Sequence, residues 1–250
     1  MFEKYKKEAP FFTGITRGVG GAGFGKARAA GGAAAAPSSL PSNTDKWGFE
    51  NNSATSTGPS ASALSITGAS YSATAKYGTV ALSFDGSNDY ADWNTGSSIS
   101  PFSISFWIYW RGHNPSGRSY LVDFRTGGGS NGYWLIDSNN TMSFVINTSG
   151  TESTQSWTPT ANTWEHYAWV SDESGTAKVY RNGVLTLTAS TSGGGPSAGG
   201  NATLATYSGA RGGSGNYFTN AIYDNVVWYR GTWTSSNIST LYSDTSTFVT

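Results

Sequence analysis

Apolar and polar residues alternate along several short stretches in the second part of this chain, which is the pattern of half-buried β-strands. The clearest stretch is FSISFWIYW at residues 102–110, where every second residue belongs to one apolar face. The residues of that face are Phe102, Ile104, Phe106 and Ile108. This period of two predicts a strand with one side turned toward a hydrophobic core.

Further strands are predicted where aliphatic and aromatic residues recur between turn signals. We expect them at residues 80–84, 120–124, 133–137, 142–146, 164–170, 177–181, 184–188 and 221–229. Asp85-Gly86 predicts a turn after the first of these. Asn182-Gly183 is typical of a two-residue type I′ hairpin, because both central positions need a positive φ. Many short strands separated by turns indicate an antiparallel sandwich or barrel rather than a parallel α/β sheet.

One helical segment is expected near the end of the chain, at residues 234–242. Thr234 or Ser235 would cap its first turn, and Ile238 and Leu241 would face inward. With this helix, residues 45–250 are predicted to form one all-β domain, a size that a single sandwich commonly reaches.

The first 44 residues have a different composition, rich in glycine and alanine and without the period of a strand or a helix. Apolar and basic side chains interrupt this stretch at irregular spacing: Phe11, Phe12, Ile15, Arg17 and Phe24. Two interpretations remain open. The segment is either a flexible linker or an extended anchoring arm that becomes ordered against partner subunits. We favour the arm, because a linker needs no such anchors.

Charge is unevenly distributed, although the chain is neutral overall. Residues 1–44 hold six basic and two acidic residues, a net of +4, and the remainder has a net of −4. This predicts that the arm contacts an acidic surface. Nucleic acid is not expected as a partner, because so few net charges form no dense basic patch.

The overall composition excludes several classes of protein. A charged fraction of 12% with 14% aromatic residues is typical of a folded β protein and not of a disordered chain. Without cysteine, no disulfide or thiolate metal site can form. No apolar run approaches the ~20 residues that span a bilayer, so we expect no membrane partner. No signal-peptide pattern follows the N-terminal lysines, so we expect assembly in a cytoplasm.

The carboxylates and histidines do not follow a catalytic pattern. The glutamates after Glu50 are Glu152, Glu165 and Glu173. None of them has a second carboxylate at the spacing that a glycosidase of a β-sandwich needs. His166 is expected in a strand and His113 in a loop, and neither has a serine and an acid placed to complete a triad. We therefore expect no catalytic residues and no enzymatic activity.

Four segments, in this order, resemble laminin-G-like, concanavalin A-like domains. They are ALSFDGSNDYADW (81–93), FSISFWIYW (102–110), TWEHYAWVSDESGTAKVYRNG (163–183) and NYFTNAIYDNVVWYRGTWTSSNISTLY (216–242). The resemblance covers about residues 45–245 and implies a jelly-roll β-sandwich of two curved antiparallel sheets. It does not fix the function, since this family includes carbohydrate binders, adhesion modules, glycosidases and structural domains.

The resemblance implies calcium as one conceivable ligand, since relatives of this fold bind an ion in an edge loop. Oxygen ligands would come from Asp85, Asn88 and Asp89 in one turn and from Asp224 on the closing strand. The alternative is that these side chains accept hydrogen bonds from nearby backbone groups. We favour the alternative and expect no cofactor.

Sugar binding would use aromatic rings for stacking, with polar side chains beside them for the hydroxyl groups. The candidates lie at or beside loops: Trp110, Arg118, Asn131, Tyr133 and Trp134. The alternative is that the aromatic residues seal the core or a subunit contact, since aromatic side chains supply much of both.

The N-terminal segment KKEAPFFTGITRGVGGAGFGK (6–26) resembles the anchor segments that precede such domains in virion proteins of marine bacteriophages. This resemblance implies a multi-copy structural protein on the virion surface, either a capsid decoration or a tail appendage. The arm would hold other virion subunits, and the jelly roll would contact host-surface glycans. The alternative is a free carbohydrate-binding adhesin.

Overall fold

The computed structural model describes most of the chain after residue 38. The described residues are 39–58, 63–96, 101–113, 117–124, 132–139, 141–145, 152–155, 157, 159–172, 174–190, 200–206 and 217–246. The predicted arm with its five anchor residues lies outside the described residues, and so does Asn131.

The described strands form two antiparallel sheets. Eight belong to the first sheet: β1 (Thr44–Trp47), β3 (Ser70–Ser72), β4 (Ala81–Asp85), β6 (Phe102–Trp110), β11 (Trp164–Ser171), β12 (Thr176–Arg181), β13 (Val184–Ser190) and β15 (Asn220–Tyr229). Seven belong to the second: β2 (Ser65–Thr67), β5 (Tyr90–Gly96), β7 (Ser119–Asp123), β8 (Tyr133–Ile136), β9 (Met142–Val145), β10 (Glu152–Gln155) and β14 (Gly200–Leu204). The predicted antiparallel sandwich is confirmed.

The order of strands in each sheet differs from their order along the chain. The first sheet runs β13-β12-β11-β6-β15-β4-β3, and β1 pairs with the second half of β15. The second sheet runs β10-β9-β8-β7-β14-β5-β2. Chain neighbours such as β5 and β6 therefore lie in different sheets, as the crossing connections of a jelly roll require.

Strand β6 lies in the middle of the first sheet, between β11 and β15. Its predicted apolar face, which includes Phe102 and Phe106, is buried in the core between the two sheets. The opposite face is buried as well. Ser103 on that face donates a hydrogen bond to the carbonyl of Gly231 at 2.7 Å and accepts one from the Trp233 N–H at 3.0 Å. A second layer therefore covers the outer side of the first sheet.

That layer is built by α1 (Ser235–Ser243), the only α-helix among the described residues, which also include a short 3-10 helix (Glu50–Asn52). Thr234 caps it as predicted, and the Asn237 side chain closes a reciprocal capping box. Ile238 and Leu241 are buried against Val170 and Val227 of the first sheet. The helix thus uses its apolar stripe to close the outer face of that sheet. It is too short to cross a membrane, and no described helix is long and apolar enough to do so.

The hairpin between β12 and β13 has the predicted turn. Asn182 and Gly183 both have positive φ, 50° and 77° respectively, as a type I′ turn requires. The Asn182 side chain accepts a hydrogen bond from the His166 N–H at 2.9 Å, and the Asn182 N–H donates to the His166 carbonyl at 2.8 Å. The turn is therefore tied to the neighbouring strand β11.

Several observed strands were not predicted from alternation. The most central is β14, which lies between β7 and β5 in the second sheet. Its sequence, GNATL, offers too few apolar residues for a period-two pattern, although Ala202 and Leu204 are fully buried. The short strands β1, β2, β3 and β10 were missed for the same reason, since each holds at most one apolar or aromatic residue. Strand β5 was not among the predicted strands either.

Candidate functional site

A cluster of tyrosines lies on the outer face of the second sheet, where β7 and β8 pair. The Tyr120 ring lies 5.4 Å from the Tyr133 ring and 5.8 Å from the Tyr217 ring. Tyr133 and Tyr217 are partly exposed, whereas Tyr120 is nearly buried between them. We call these three residues the tyrosine cluster. It presents aromatic surface on the side of the sheet that faces away from the core.

A β-bulge in β7 places the side chains of Tyr120 and Asp123 on one face of the sheet. The register between β7 and β8 shifts between Tyr120 and Val122, so that Leu121 is the additional residue. Leu121 and Val122 both point into the core, which brings Tyr120 and Asp123 to the same outer face. Without the bulge, residues separated by three positions would lie on opposite faces.

An ion pair lies at the end of the same two strands. Arg118 precedes β7, Asp137 follows β8, and the guanidinium Nε donates to the Asp137 carboxylate at 3.0 Å. A second N–H, on Nη2, donates to the other carboxylate oxygen at 3.4 Å. The two side chains remain 46% and 24% exposed, so both are accessible to solvent.

Both charges of this ion pair are stabilised by their surroundings. Burial opposes ionisation of Asp137, but hydrogen bonds from Arg118 and the Ser138 N–H outweigh it and lower the pKa of the carboxyl group. The hydrogen bond to Asp137 raises the pKa of Arg118, and the nearby hydroxyl groups of Tyr120 and Tyr217 raise it further. Arg118 is also two positions before Tyr120 along the chain, so the two side chains leave the sheet on the same face.

Polar groups extend from this cluster across the second sheet. Asp123 pairs in register with both Tyr133 and Thr203 of the flanking strands, and Thr203 pairs in turn with Asp92. The Thr203 hydroxyl donates to the Asp92 carboxylate at 2.7 Å. A row of aromatic, hydroxyl and carboxylate groups thus runs across four neighbouring strands, and its two middle members, Asp123 and Thr203, are fully buried.

Two of the predicted sugar-binding residues, Arg118 and Tyr133, lie on the same pair of strands, Arg118 at the start of β7 beside Asp137 and Tyr133 opposite Asp123 at the other end. The other two candidates among the described residues, Trp134 and Trp110, lie away from these strands' outer face. Trp134 is fully buried in the core, with its ring 4.8 Å from that of Phe144, so a sugar cannot reach it. Trp110 belongs to the first sheet, is only 6% exposed and packs edge-on against His113. The alternative of core packing therefore holds for these two tryptophans.

Three members of the site were missed by the sequence analysis: Tyr120, Tyr217 and Asp137. Alternation could not place Tyr120 and Asp123 on one face, because the bulge at Leu121 leaves no mark in the residue pattern. Asp137 was noted only as the end of a strand. The signal that could have found it is the pairing of Ser119 with Ile136, which puts residues 118 and 137 side by side.

The three aspartates considered for calcium, Asp85, Asp89 and Asp224, accept hydrogen bonds from protein groups. Asp89 accepts from the Asp85 N–H at 2.8 Å, and Asp85 accepts from the Ser87 N–H at 2.7 Å, as in a stabilised turn. Asp224 is buried on another strand and accepts from the Lys76 and Tyr77 N–H groups. Within the described ranges, no three His, Cys, Asp or Glu side chains are grouped as a metal ligand set.

Two of the side chains considered for catalysis, Glu165 and His166, have structural partners. Glu165 is buried, and its carboxylate accepts from Arg181 at 2.6 Å and from the Tyr167 hydroxyl. Burial opposes its ionisation, but these bonds outweigh burial and lower the pKa of Glu165. Burial lowers the pKa of His166 to about 3, which keeps the imidazole neutral beside Ser105. Neither group is exposed to a ligand.

Two packed antiparallel sheets with these crossings and a capping helix define a jelly-roll sandwich domain. Residues 85–239 match a laminin-G-like family model described as the concanavalin A-like lectin/glucanases superfamily. Because this match covers more than half of the sequence, the chain belongs to that superfamily, as the sequence resemblance predicted. No curated protein matches the chain.

Three solved structures have a similar fold. The binding domain of Paraclostridial Mosquitocidal Protein 1 has a TM-score of 0.62 at 15% identity, and the match covers 80% of this chain and 51% of that one. The receptor binding domain of botulinum neurotoxin D has a TM-score of 0.60 at 12% identity, with coverages of 80% and 52%. Domain 4 of AbnA, a GH43 extracellular arabinanase from Geobacillus stearothermophilus in complex with arabinotriose, has a TM-score of 0.59 at 17% identity, with coverages of 80% and 97%.

The present chain therefore spans about half the length of the two toxin domains and nearly all of the arabinanase domain. At these identities the likeness concerns the fold.

Proposed function

We propose that this chain is a glycan-binding module and that its site is the tyrosine cluster with the Arg118–Asp137 ion pair. The observation that carries the proposal is that partly exposed aromatic rings and an exposed ion pair lie on one face of the same two paired strands, β7 and β8. Aromatic rings stack on the apolar faces of sugars, and charged side chains make the stronger hydrogen bonds to hydroxyl groups. A domain of the same fold in complex with arabinotriose supports this assignment.

The proposed role is binding without turnover. Its support is that Glu165, the buried glutamate of the central strands, is already engaged by Arg181 and Tyr167. A carboxylate with a lowered pKa is a poor general acid at neutral pH, since it holds no proton to donate. The domain would then contribute recognition and leave any chemistry to other proteins.

The biological setting that we propose is the surface of a bacteriophage particle. Its support comes from the sequence: the segment 6–26 resembles virion anchor segments, and the first 44 residues carry a net charge of +4. In this proposal the arm attaches the chain to other virion subunits, as a capsid decoration or a tail appendage, and the sandwich contacts host glycans. Many copies would convert weak single contacts into strong attachment. A free carbohydrate-binding adhesin is the second candidate, and it requires no role for the arm.

Glycan binding is tested with a glycan array probed by the full-length protein and two variants. Tyr133→Ala removes a partly exposed ring of the cluster, and we expect its binding to fall about five- to tenfold, the value of one stacking contact. Tyr109→Ala is the matched control, since Tyr109 is also a partly exposed tyrosine in a strand. Tyr109 lies in the first sheet, away from the tyrosine cluster, and its ring packs on Trp164 of the same sheet.

The control variant should bind like the wild-type protein. An array on which the wild-type protein recognises no glycan would refute the proposed function. Equal losses in the two variants would refute the assignment of the site.

A further inference from the structure

The Arg118–Asp137 ion pair has a geometry that a sugar can use without breaking it. The carboxylate occupies the Nε and one Nη2 position of the guanidinium, at 3.0 and 3.4 Å. Arginine has five N–H donors, so the remaining donors point away from Asp137. The Asp137 oxygens accept from Arg118 and from the Ser138 N–H at 2.8 Å and retain further lone pairs. Donor and acceptor thus lie side by side at a partly exposed position.

Two adjacent hydroxyl groups of a sugar match this arrangement. One hydroxyl accepts from the guanidinium while its neighbour donates to the carboxylate, and both new bonds are charge-assisted. The tyrosine cluster supplies a surface for the sugar ring, because Arg118 and Tyr120 are two positions apart at the start of β7 and their side chains therefore leave the sheet on the same face.

A carboxylated sugar matches the arrangement poorly. Asp137 already holds the Nε and Nη2 edge of Arg118, so a sugar carboxylate could use only the remaining N–H groups and would lie close to the Asp137 carboxylate, which repels it. Displacing Asp137 would leave that acid without its partner and next to a like charge, which costs binding energy. In the part of the chain that the structure describes, the same sheet face also carries Asp92, which is partly exposed, and Asp123, which is fully buried.

We infer that this site selects neutral sugars with adjacent hydroxyl groups and rejects carboxylated sugars, and that the Arg118–Asp137 pair sets this selectivity. The inference rests on the proposed function, since it specifies the ligand class of the same site. It differs from a purely structural role, in which the pair would only join the ends of β7 and β8. In that role, changes to the pair would alter stability and leave the sugar preference unchanged.

The test compares matched oligosaccharides on one array: oligomers of galactose and galacturonic acid, and of glucose and glucuronic acid. The full-length protein should prefer the neutral member of a recognised pair by at least about tenfold, the effect of one charged hydrogen bond or one repulsion. Arg118→Ala should lower binding of the neutral sugar by about tenfold.

Asp137→Asn is the decisive variant, because it frees the guanidinium and removes the competing charge. Its preference for the neutral sugar should fall at least about fivefold, and its binding of the carboxylated sugar should rise. Thermal unfolding of each variant verifies that the domain remains folded. Salt at 0.5 M should reduce the discrimination, because it screens exposed charges.

The outcomes separate the two claims. Equal binding of neutral and carboxylated members by the wild-type protein would overturn the selectivity and leave glycan binding intact. An Asp137→Asn variant that is less stable but has the wild-type preference would also overturn it, in favour of the structural role. Binding of no oligosaccharide by the wild-type protein would overturn the proposed function and this inference with it.

Discussion

At the scale of single residues, the outer face of the first sheet contains a histidine that is almost fully buried. His166 is 1% exposed, its Nε2 lies 2.7 Å from the Ser105 hydroxyl, and its ring packs on Trp107 and Tyr242. Among the described residues, its Nδ1 has no hydrogen-bond partner. Protonation would place a charge in this apolar site, so burial lowers the pKa of His166 to about 3.

This pKa makes the domain sensitive to acid. The unfolded chain binds a proton at His166 below about 6.5, whereas the folded chain does so only near 3. The stability that the neutral His166 contributes is therefore fully present above pH 6.5 and is lost as the pH falls toward 3. At pH 5 the loss is about 2 kcal/mol relative to neutral pH. We expect His166→Gln, which keeps a polar group beside Ser105, to remove this part of the pH dependence.

The measurement is urea unfolding of both proteins at pH 7 and pH 5. The pH dependence of stability has to be compared between the variant and the wild type, because both proteins also contain Asp224. Protonation of Asp224 affects stability in the opposite direction to protonation of His166. Burial raises the pKa of Asp224 to about 6, so the folded state gains stability as the pH falls through that value. Parallel pH profiles for the two proteins would show that His166 is not the acid-sensitive group.

At the scale of structural elements, the hairpin between β12 and β13 depends on one glycine. Gly183 has a φ of 77°, and a Cβ added there would lie 3.0 Å from the ring of Tyr242 on helix α1. Both the backbone conformation and the close contact therefore oppose a larger residue. We expect Gly183→Ala to lower the free energy of unfolding by about 1–3 kcal/mol, measured by chemical denaturation.

The backbone conformation and the contact with Tyr242 can be separated by making Gly183→Ala in a protein that also carries Tyr242→Ala. Removing the ring opens the space but does not change φ, so Gly183→Ala should cost less there, and the remaining cost is that of the backbone. If Gly183→Ala leaves stability unchanged in both backgrounds, the turn has another conformation.

The same elements show where prediction from sequence works and where it stops. Residues 102–110 were predicted as a strand with the correct inner face, because nine alternating residues outweigh local irregularities. The Asn182-Gly183 turn was predicted because its chemistry is local. Strand β14 was missed because its burial depends on β5 and β7, which are distant in the sequence.

The candidate site was predicted only in part for a related reason. Arg118 and Tyr133 were identified as exposed polar and aromatic residues, but their neighbours depend on the strand register. In β7, the bulge at Leu121 brings Tyr120 to the same outer face as Asp123. In β8, alternation places Trp134 and Tyr133 on opposite faces but does not indicate which of the two faces the core. Register and facing are properties of the pair of strands, which a single stretch of sequence does not contain.

At the scale of the whole molecule, the sandwich begins earlier than its first strand. Leu40 packs against the cluster around α1, and the Ser39 carbonyl accepts a hydrogen bond from the Asn237 side chain at 3.4 Å. A truncation that tests the proposed anchoring arm should therefore keep these two residues. The compact unit Pro37–Thr250 defines the appropriate start.

We expect a protein comprising residues 37–250 to unfold like the full-length chain. A shorter protein that starts at residue 41 should be less stable by about 1 kcal/mol, because it lacks the Leu40 packing and the Ser39 bond. Circular dichroism melting curves of the three proteins measure this difference. Identical stability of all three would mean that residues 39 and 40 do not support the helix.

The 37–250 protein then allows a clean test of anchoring by co-sedimentation with bacteriophage particles that lack this chain. If the arm is the anchor, the full-length protein sediments with the particles and the 37–250 protein stays in solution, although both bind the same glycans on the array. Because the sandwich is intact in both proteins, the difference can only come from the removed residues. Equal sedimentation of the two, or of neither, would contradict the anchoring role and favour the free adhesin.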